Sequence, residues 1–112
     1  MVPMAAPEGP SKELQPIADL DRTIHSPARL MILSYLYVAQ SADFVFLMRQ
    51  TGLTRGNLSS HMSKLEAAGY IRVNKEFLDR KPLTLLQLTP RGRAAFRAYR
   101  HKMLRVLEDL PQ

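Results

Sequence analysis

The run from Phe44 to Tyr70, FVFLMRQTGLTRGNLSSHMSKLEAAGY, constrains the chain most, because it reads as two helices joined by a tight turn. Phe44, Leu47 and Met48 fall on one side of the first helix, which stops at Gly52, a residue that tolerates the positive φ of a helix exit. Thr54 is placed to cap the second helix, its hydroxyl accepting a backbone N–H that the helix leaves without a partner, and Gly69 is placed to end it. A unit of this shape is a helix-turn-helix, which can lay its second helix in a DNA groove.

The outward face of that second helix follows from 100° per residue. With Leu58 at zero, Met62 and Leu65 lie within roughly 40° and form the buried stripe. Gly56, Asn57, Ser60, Ser63 and Lys64 land opposite, flanked by Arg55, Ser59 and His61. This face is small and polar, and no acidic residue occurs before Glu66. An ordinary solvated helix face favours Glu, Lys, Gln and Ala, whereas Gly, Asn and Ser weaken a helix. Close approach to base edges and phosphates, by contrast, requires such a surface.

The charge of the chain is segregated in the same sense. Up to Asp43 there are three basic residues, Lys12, Arg22 and Arg29, against five acidic ones; from Phe44 onward there are thirteen against five. A basic half that holds the motif suits a polyanion, although charge alone does not separate DNA from RNA or an anionic membrane. At 112 residues there is room for one domain with a modest core and none for a separate catalytic domain. No cysteine is present, which excludes disulfides, thiolate metal sites and thiol redox switching. His25, His61 and His101 are far apart and lack the companions a helix-borne metal site needs, so no metal and no cofactor is expected. The chain has no apolar run near 18 residues and no signal-like start, which gives the expectation of a cytoplasmic protein that does not enter membranes.

Along the chain, residues 1–13, with Pro3, Pro7 and Pro10, read as a disordered arm. Ile17, Leu20 and Ile24 suggest an N-terminal helix over 14–25. Ser26-Pro27 is a cap-then-proline start for a core helix over 26–39, rich in Leu30, Ile32, Leu33, Leu36 and Tyr37. Beyond the motif at 44–69, YIRVNKEFL and LTLLQLT read as two strands over 70–89, with Ile71 and Val73 on one side of the first and Leu86 and Leu88 inward on the second. The polar stretch Asp79-Arg80-Lys81-Pro82 turns the chain between them. A hairpin directly after the second motif helix is a wing, and Arg72, Lys75, Arg80 and Lys81 make it basic. Thr89-Pro90 repeats the start signal and opens a final helix over 90–110. Phe96, Tyr99, Met103, Val106 and Leu110 recur on it at heptad-like spacing, so a homodimer is expected, with Ile17, Leu20 and Ile24 sharing the interface.

This order of pieces resembles the winged helix-turn-helix regulators of the MarR and ArsR type, in their short single-domain form. The resemblance rests on HSPARLMILSYL, LTRGNLSSHMSKLEAAGYI and RKPLTLLQLTPRGRAAFRAY and covers roughly residues 17–105. It implies a mainly α fold with a small β-hairpin wing, an α+β arrangement ending in a long C-terminal dimerisation helix. It also implies that the helix over 54–68 enters the major groove while the wing reaches a flanking groove. Matched by position, Arg55, Asn57, Ser59, Ser60, His61 and Lys64 become candidate DNA contacts. Thr54 at the helix start and Arg72, Arg80 and Lys81 on the wing join them. Neither the cysteines nor the His–acid sets of ArsR-type metal sensors are present, so metal sensing is not implied.

The expected function is a homodimeric regulator that binds double-stranded DNA at a pseudo-palindromic operator, more often repressing than activating; a small-molecule effector is left open. Two alternatives remain: a winged helix that docks on a protein, and one that grips RNA by shape and 2′-hydroxyls. An enzyme is not expected. Ser59, Ser60 and His61 have no nearby carboxylate to orient an imidazole, and Gly52 and Gly56 lack the rest of a phosphate loop.

Overall fold

The computed structural model describes residues 9–111. Five helices, α1 (Gln15–Ala18), α2 (Pro27–Ala39), α3 (Phe44–Thr51), α4 (Arg55–Ala67) and α5 (Pro90–Glu108), combine with three strands, β1 (Ser41–Asp43), β2 (Ile71–Leu78) and β3 (Lys81–Leu88). The sheet is antiparallel in the order β1-β3-β2.

Local chemistry sets most helix ends. The Ser26, Asp43, Thr54 and Thr89 side chains accept the backbone N–H groups of Arg29, Phe46, Asn57 and Gly92 respectively, each three residues ahead. Proline occupies the first turn of α2 and α5, where its missing N–H costs nothing. Gly52 ends α3 at φ 71°, in the left-handed region.

Ile24, Ile32, Leu33, Leu36, Leu47, Leu58, Leu65 and Leu86 are fully buried and form the centre of one core, which Phe44, Ile71, Leu88 and Tyr99 extend. Each large side chain contributes about 1.5–3 kcal/mol on burial. Leu58 and Leu65 make the buried stripe of α4, with Met62 partly buried beside them. The inner half of the wing joins the same core: Ile71 faces Leu88 and Val73 faces Leu86 across β2 and β3.

Three features depart from the sequence reading. The N-terminal helix expected over 14–25 is only the single turn of α1, because the Asp21 carboxylate accepts the N–H groups of Thr23 and Ile24 at 2.9 and 3.2 Å. That local bonding competes with helix continuation. Ser41–Asp43, to which the sequence reading gave no element, pairs with Leu85–Gln87 as β1; three residues carry too little alternation to be read as a strand. The wing turn is narrower than Asp79–Pro82, since Lys81 and Pro82 already belong to β3 and only Asp79 and Arg80 connect the strands. Both have positive φ, 51° and 67°, as a twisted two-residue hairpin requires. Most of the arm expected over 1–13 lies outside the described residues.

The expected dimer seam divides in the same way. Leu20, Ile24 and Tyr99 are buried within the single chain, so they cannot meet a partner. Phe96 and Met103 pack partly on the core, Phe96 against Tyr37 with ring centroids 5.3 Å apart. Ile17 and Leu110 are exposed and Val106 is half-buried. The seam splits because the core ends partway along α5. Beyond that point Leu104, Leu107 and Leu110 stand exposed, together with Leu14 and Ile17, which line one groove with Val106 and Leu110.

Candidate nucleic-acid interface

On α4, Leu58 and Leu65 point inward, and Arg55, Gly56, Asn57, Ser60, Ser63 and Lys64 are exposed. The first turn holds no carboxylate. Thr54 spends its hydroxyl oxygen on the Asn57 N–H at 3.1 Å, so its part in this surface is to start the helix. The Arg55 guanidinium rests 5.5 Å from the Phe44 ring centroid, which aims a long side chain that solvent would otherwise leave mobile. A Cβ added at Gly56 would meet nothing within 4 Å, and its φ is not in the left-handed region. No packing or backbone demand among the described residues explains a glycine there.

Ser59 and His61, on the flanks, are half-buried. His61 Nδ1 lies 3.0 Å from Nη1 of Arg29 on α2. Arginine can only donate, so Nδ1 accepts and the neutral ring carries its proton on Nε2. Arg29 is itself fixed by the Thr23 carbonyl. A residue of α2 thus orients a residue of α4, a contact across 32 positions that no local pattern announced.

Burial first, then the charges of Arg29 and Lys64, hold the His61 imidazole below its ordinary value of 6.5. The unfolded chain takes up a proton near pH 6.5 that the folded chain refuses, so this site has no effect on stability well above that pH. It subtracts stability as the pH falls from there through the lowered folded value. Denaturant titrations at pH 7.5 and 5 are therefore expected to show a smaller acid-induced loss for His61→Gln, whose amide oxygen can still accept from Arg29, than for the wild type. Equal losses would remove His61 from this role.

The wing supplies Arg80 at its turn and Lys81 beside it, both exposed. Arg80 occupies a left-handed position that costs a non-glycine residue roughly 1–2 kcal/mol. Arg72 pairs with Gln87 on the sheet face opposite to Ile71, so it stands on the side away from the core, whereas Lys75 shares the face of Ile71. The basic hairpin read in the sequence is therefore two faces. Arg93, near the wing base, is engaged within the fold: it stacks 4.5 Å from the Tyr37 ring centroid and donates to the Tyr37 carbonyl at 3.2 Å.

One junction fixes how α4 leads into the wing. The Thr89 hydroxyl donates to the Gly69 carbonyl at 2.6 Å, and its N–H donates to the Tyr70 carbonyl at 3.1 Å. Tyr70 also donates its phenol to Asp21, and that bond raises the Tyr70 pKa. Among the described residues no helix is long and apolar enough to cross a membrane, and no group of three or more His, Asp or Glu could hold a metal ion.

Comparison with known proteins agrees with this geometry. Residues 28–107 match the family described as Winged helix DNA-binding domain. An uncharacterized protein of Methanocaldococcus jannaschii is 30% identical over 89 residues, which are 80% of this chain and 97% of that protein. The structure of a transcriptional regulator homologue from Pyrococcus horikoshii superposes with a TM-score of 0.80 at 29% identity, covering 89% of this chain and 100% of that one. Overoxidized AbfR bound to DNA shares the fold at a TM-score of 0.66 and 18% identity, over 88% of this chain and 66% of its own. An ArsR family transcriptional regulator shares the fold at a TM-score of 0.55 and 18% identity, over 89% of this chain and 95% of its own. The chain belongs to the winged helix DNA-binding domain family.

Proposed function

We propose that the protein is a cytoplasmic, sequence-specific regulator that works as a homodimer on a pseudo-palindromic DNA operator and represses by occluding a promoter. The observation that carries this reading is the outward face of α4: exposed, without an acidic residue before Glu66, and built of Arg55, Gly56, Asn57, Ser60 and Lys64 at the expense of helix propensity. Asn57, Ser60 and Lys64 supply base discrimination, on the order of 1–3 kcal/mol for each good bidentate contact. Arg55, Arg80 and Lys81 grip phosphates, while Thr54, Ser59 and His61 shape and orient the helix edge. Arg72, on the outer sheet face, reaches only the backbone of a flanking turn.

The exposed Leu14, Ile17, Leu104, Leu107 and Leu110 provide the apolar surface on which a second copy closes, with Val106 and the outer edges of Phe96 and Met103 alongside. Two copies then present their α4 helices about one DNA turn apart, roughly 34 Å. AbfR, which shares the fold, has been solved on DNA.

The test is selection of bound duplexes from a random library, followed by salt titration of the winner beside a scrambled control. A two-fold related motif with half-sites about one turn apart, preferred roughly a thousandfold or more, is the expected result. Steep salt dependence without a motif would make the protein a non-specific binder, and absence of duplex binding would leave a protein-docking or RNA-binding winged helix in its place.

A further inference from the structure

The outer half of the wing does something a solubilising edge does not. β2 and β3 are each eight residues long, but only their inner halves rest on the core; Lys75–Leu78 and the strand opposite project about 13 Å beyond it. At the end of this projection Phe77 is 78% exposed and Leu78 62% exposed. A free-standing hairpin of this length gains nothing for the fold by carrying its largest apolar side chain at the tip, where the ring is left in water.

The register sorts what surrounds that ring. Phe77 pairs with Pro82 and Lys75 with Thr84 on the sheet face that, nearer the base, packs through Ile71 and Val73. Glu76 and Leu78 occupy the opposite face. Phe77 therefore shares its face with a proline, a threonine and a lysine, and with no carboxylate. The turn beside it is Asp79 and Arg80, the arginine kept in a left-handed conformation that glycine would adopt without strain, and exposed Lys81 follows, paired with Leu78 on the opposite face. An apolar ring with Lys75 on its own face, Arg80 at the turn and Lys81 across the strand edge fits a partner that is itself a stack of flat apolar surfaces between two rows of anions, which is a nucleic acid duplex.

We propose that Phe77 is an apolar wedge: the wing enters the minor groove flanking the α4 site, Phe77 inserts at a base step and partly unstacks it, and Arg80 and Lys81 hold the phosphates on either side. The inference rests on the DNA-binding reading of α4 and adds a second mode of recognition to it. Insertion of Phe, Leu or Pro between base pairs bends a duplex toward the major groove. The energy to open a step depends on its sequence and is lowest at pyrimidine–purine steps. The wing thus selects flanking sequence by deformability, without hydrogen-bonding a base edge.

The full-length protein and the duplex obtained by selection provide the test, with 2-aminopurine placed at successive positions of the flank as the reporter of unstacking. The wild type is expected to brighten the probe at one step per half-site, and selected sites are expected to carry TA or CA at that step. Phe77→Ala, at an exposed position whose loss leaves the thermal midpoint unchanged, is expected to abolish the brightening and weaken binding about tenfold, while the α4 footprint is kept. Replacing the flexible step by AA should weaken the wild type and leave Phe77→Ala unaffected. Wild-type binding with steep salt dependence but no brightening, or equal affinity for the variant, would overturn the wedge and leave the α4 reading intact. A change in sedimentation with unchanged DNA affinity in Phe77→Ala would assign the ring to a protein contact instead. Failure of the wild type to bind any duplex would remove both readings together.

Discussion

Gly92→Ala is expected to destabilise the protein by about 3 kcal/mol or more, lowering the thermal midpoint by roughly 10 °C or more. Gly92 lies in the first turn of α5, where its N–H donates to the Thr89 hydroxyl at 2.9 Å. A Cβ there would sit 2.0 Å from the Tyr70 carbonyl oxygen and within 3 Å of the Tyr70 carbonyl carbon and Cα. These are backbone atoms, so no rotamer change relieves the overlap. Retreat of α5 is blocked as well, because Thr89 is bonded to both Gly69 and Tyr70.

The sign of this effect is diagnostic. Glycine to alanine in an unconstrained helix stabilises by up to about 1 kcal/mol. Gly56→Ala, with open space around it, serves as the control and should raise the midpoint slightly. Circular dichroism melts of the two variants check the pair, and a wild-type midpoint in Gly92→Ala would mean that α5 can slide off the Tyr70 backbone. Because Gly69 and Tyr70 connect α4 to β2, the same close approach sets where α4 points relative to the wing.

The second large effect separates stability from binding in one substitution. Asn57 is the third residue after the Thr54 cap, and its N–H donates to the Thr54 hydroxyl at 3.1 Å. The residue that best serves a helix at that position is glutamate, whose carboxylate bonds back to the cap N–H and favours the positive end of the helix dipole. Asn57→Glu is therefore expected to hold or raise the unfolding free energy, by about 0.3–1 kcal/mol. On the outward face of α4 the same carboxylate would oppose phosphates and base acceptors, and affinity for the selected operator is expected to fall on the order of a hundredfold or more, as like-charge juxtaposition costs several kcal/mol. Fluorescence anisotropy with the labelled operator, run beside a denaturant titration, reads both. Retained affinity in a folded Asn57→Glu would sink the assignment of α4 as the DNA-reading helix.

The absence of acid from that first turn is also the point at which the sequence was most informative. Thr54-x-x-Asn57 is a capping box without its glutamate, and Gly56 is a helix-weakening residue that the structure leaves unexplained by packing. A fold optimised only for stability would contain neither. Local preference and native geometry disagree there, as expected where a surface answers to a partner rather than to the core.

What the sequence determined by itself is what acts over a few residues. The caps at Ser26, Thr54 and Thr89 bond to N–H groups three positions ahead, the Gly52 exit depends on one φ, and the Leu58–Leu65 stripe follows from helix pitch, so spacing alone displayed them. The tertiary structure decided where the core stops. Leu20, Ile24 and Tyr99 share their periodicity with Ile17 and Leu110, yet the first three are inside and the other two outside. Phe77 continues the alternation of Ile71 and Val73 and would be read as inward, but by Phe77 the strand has outrun the helices beneath it. Arg29 reaches His61 across 32 positions, and His25 reaches Tyr99 across 74. Periodicity tells which side of an element is apolar; only the packed arrangement of all the elements determines how much of that side finds another surface to cover it.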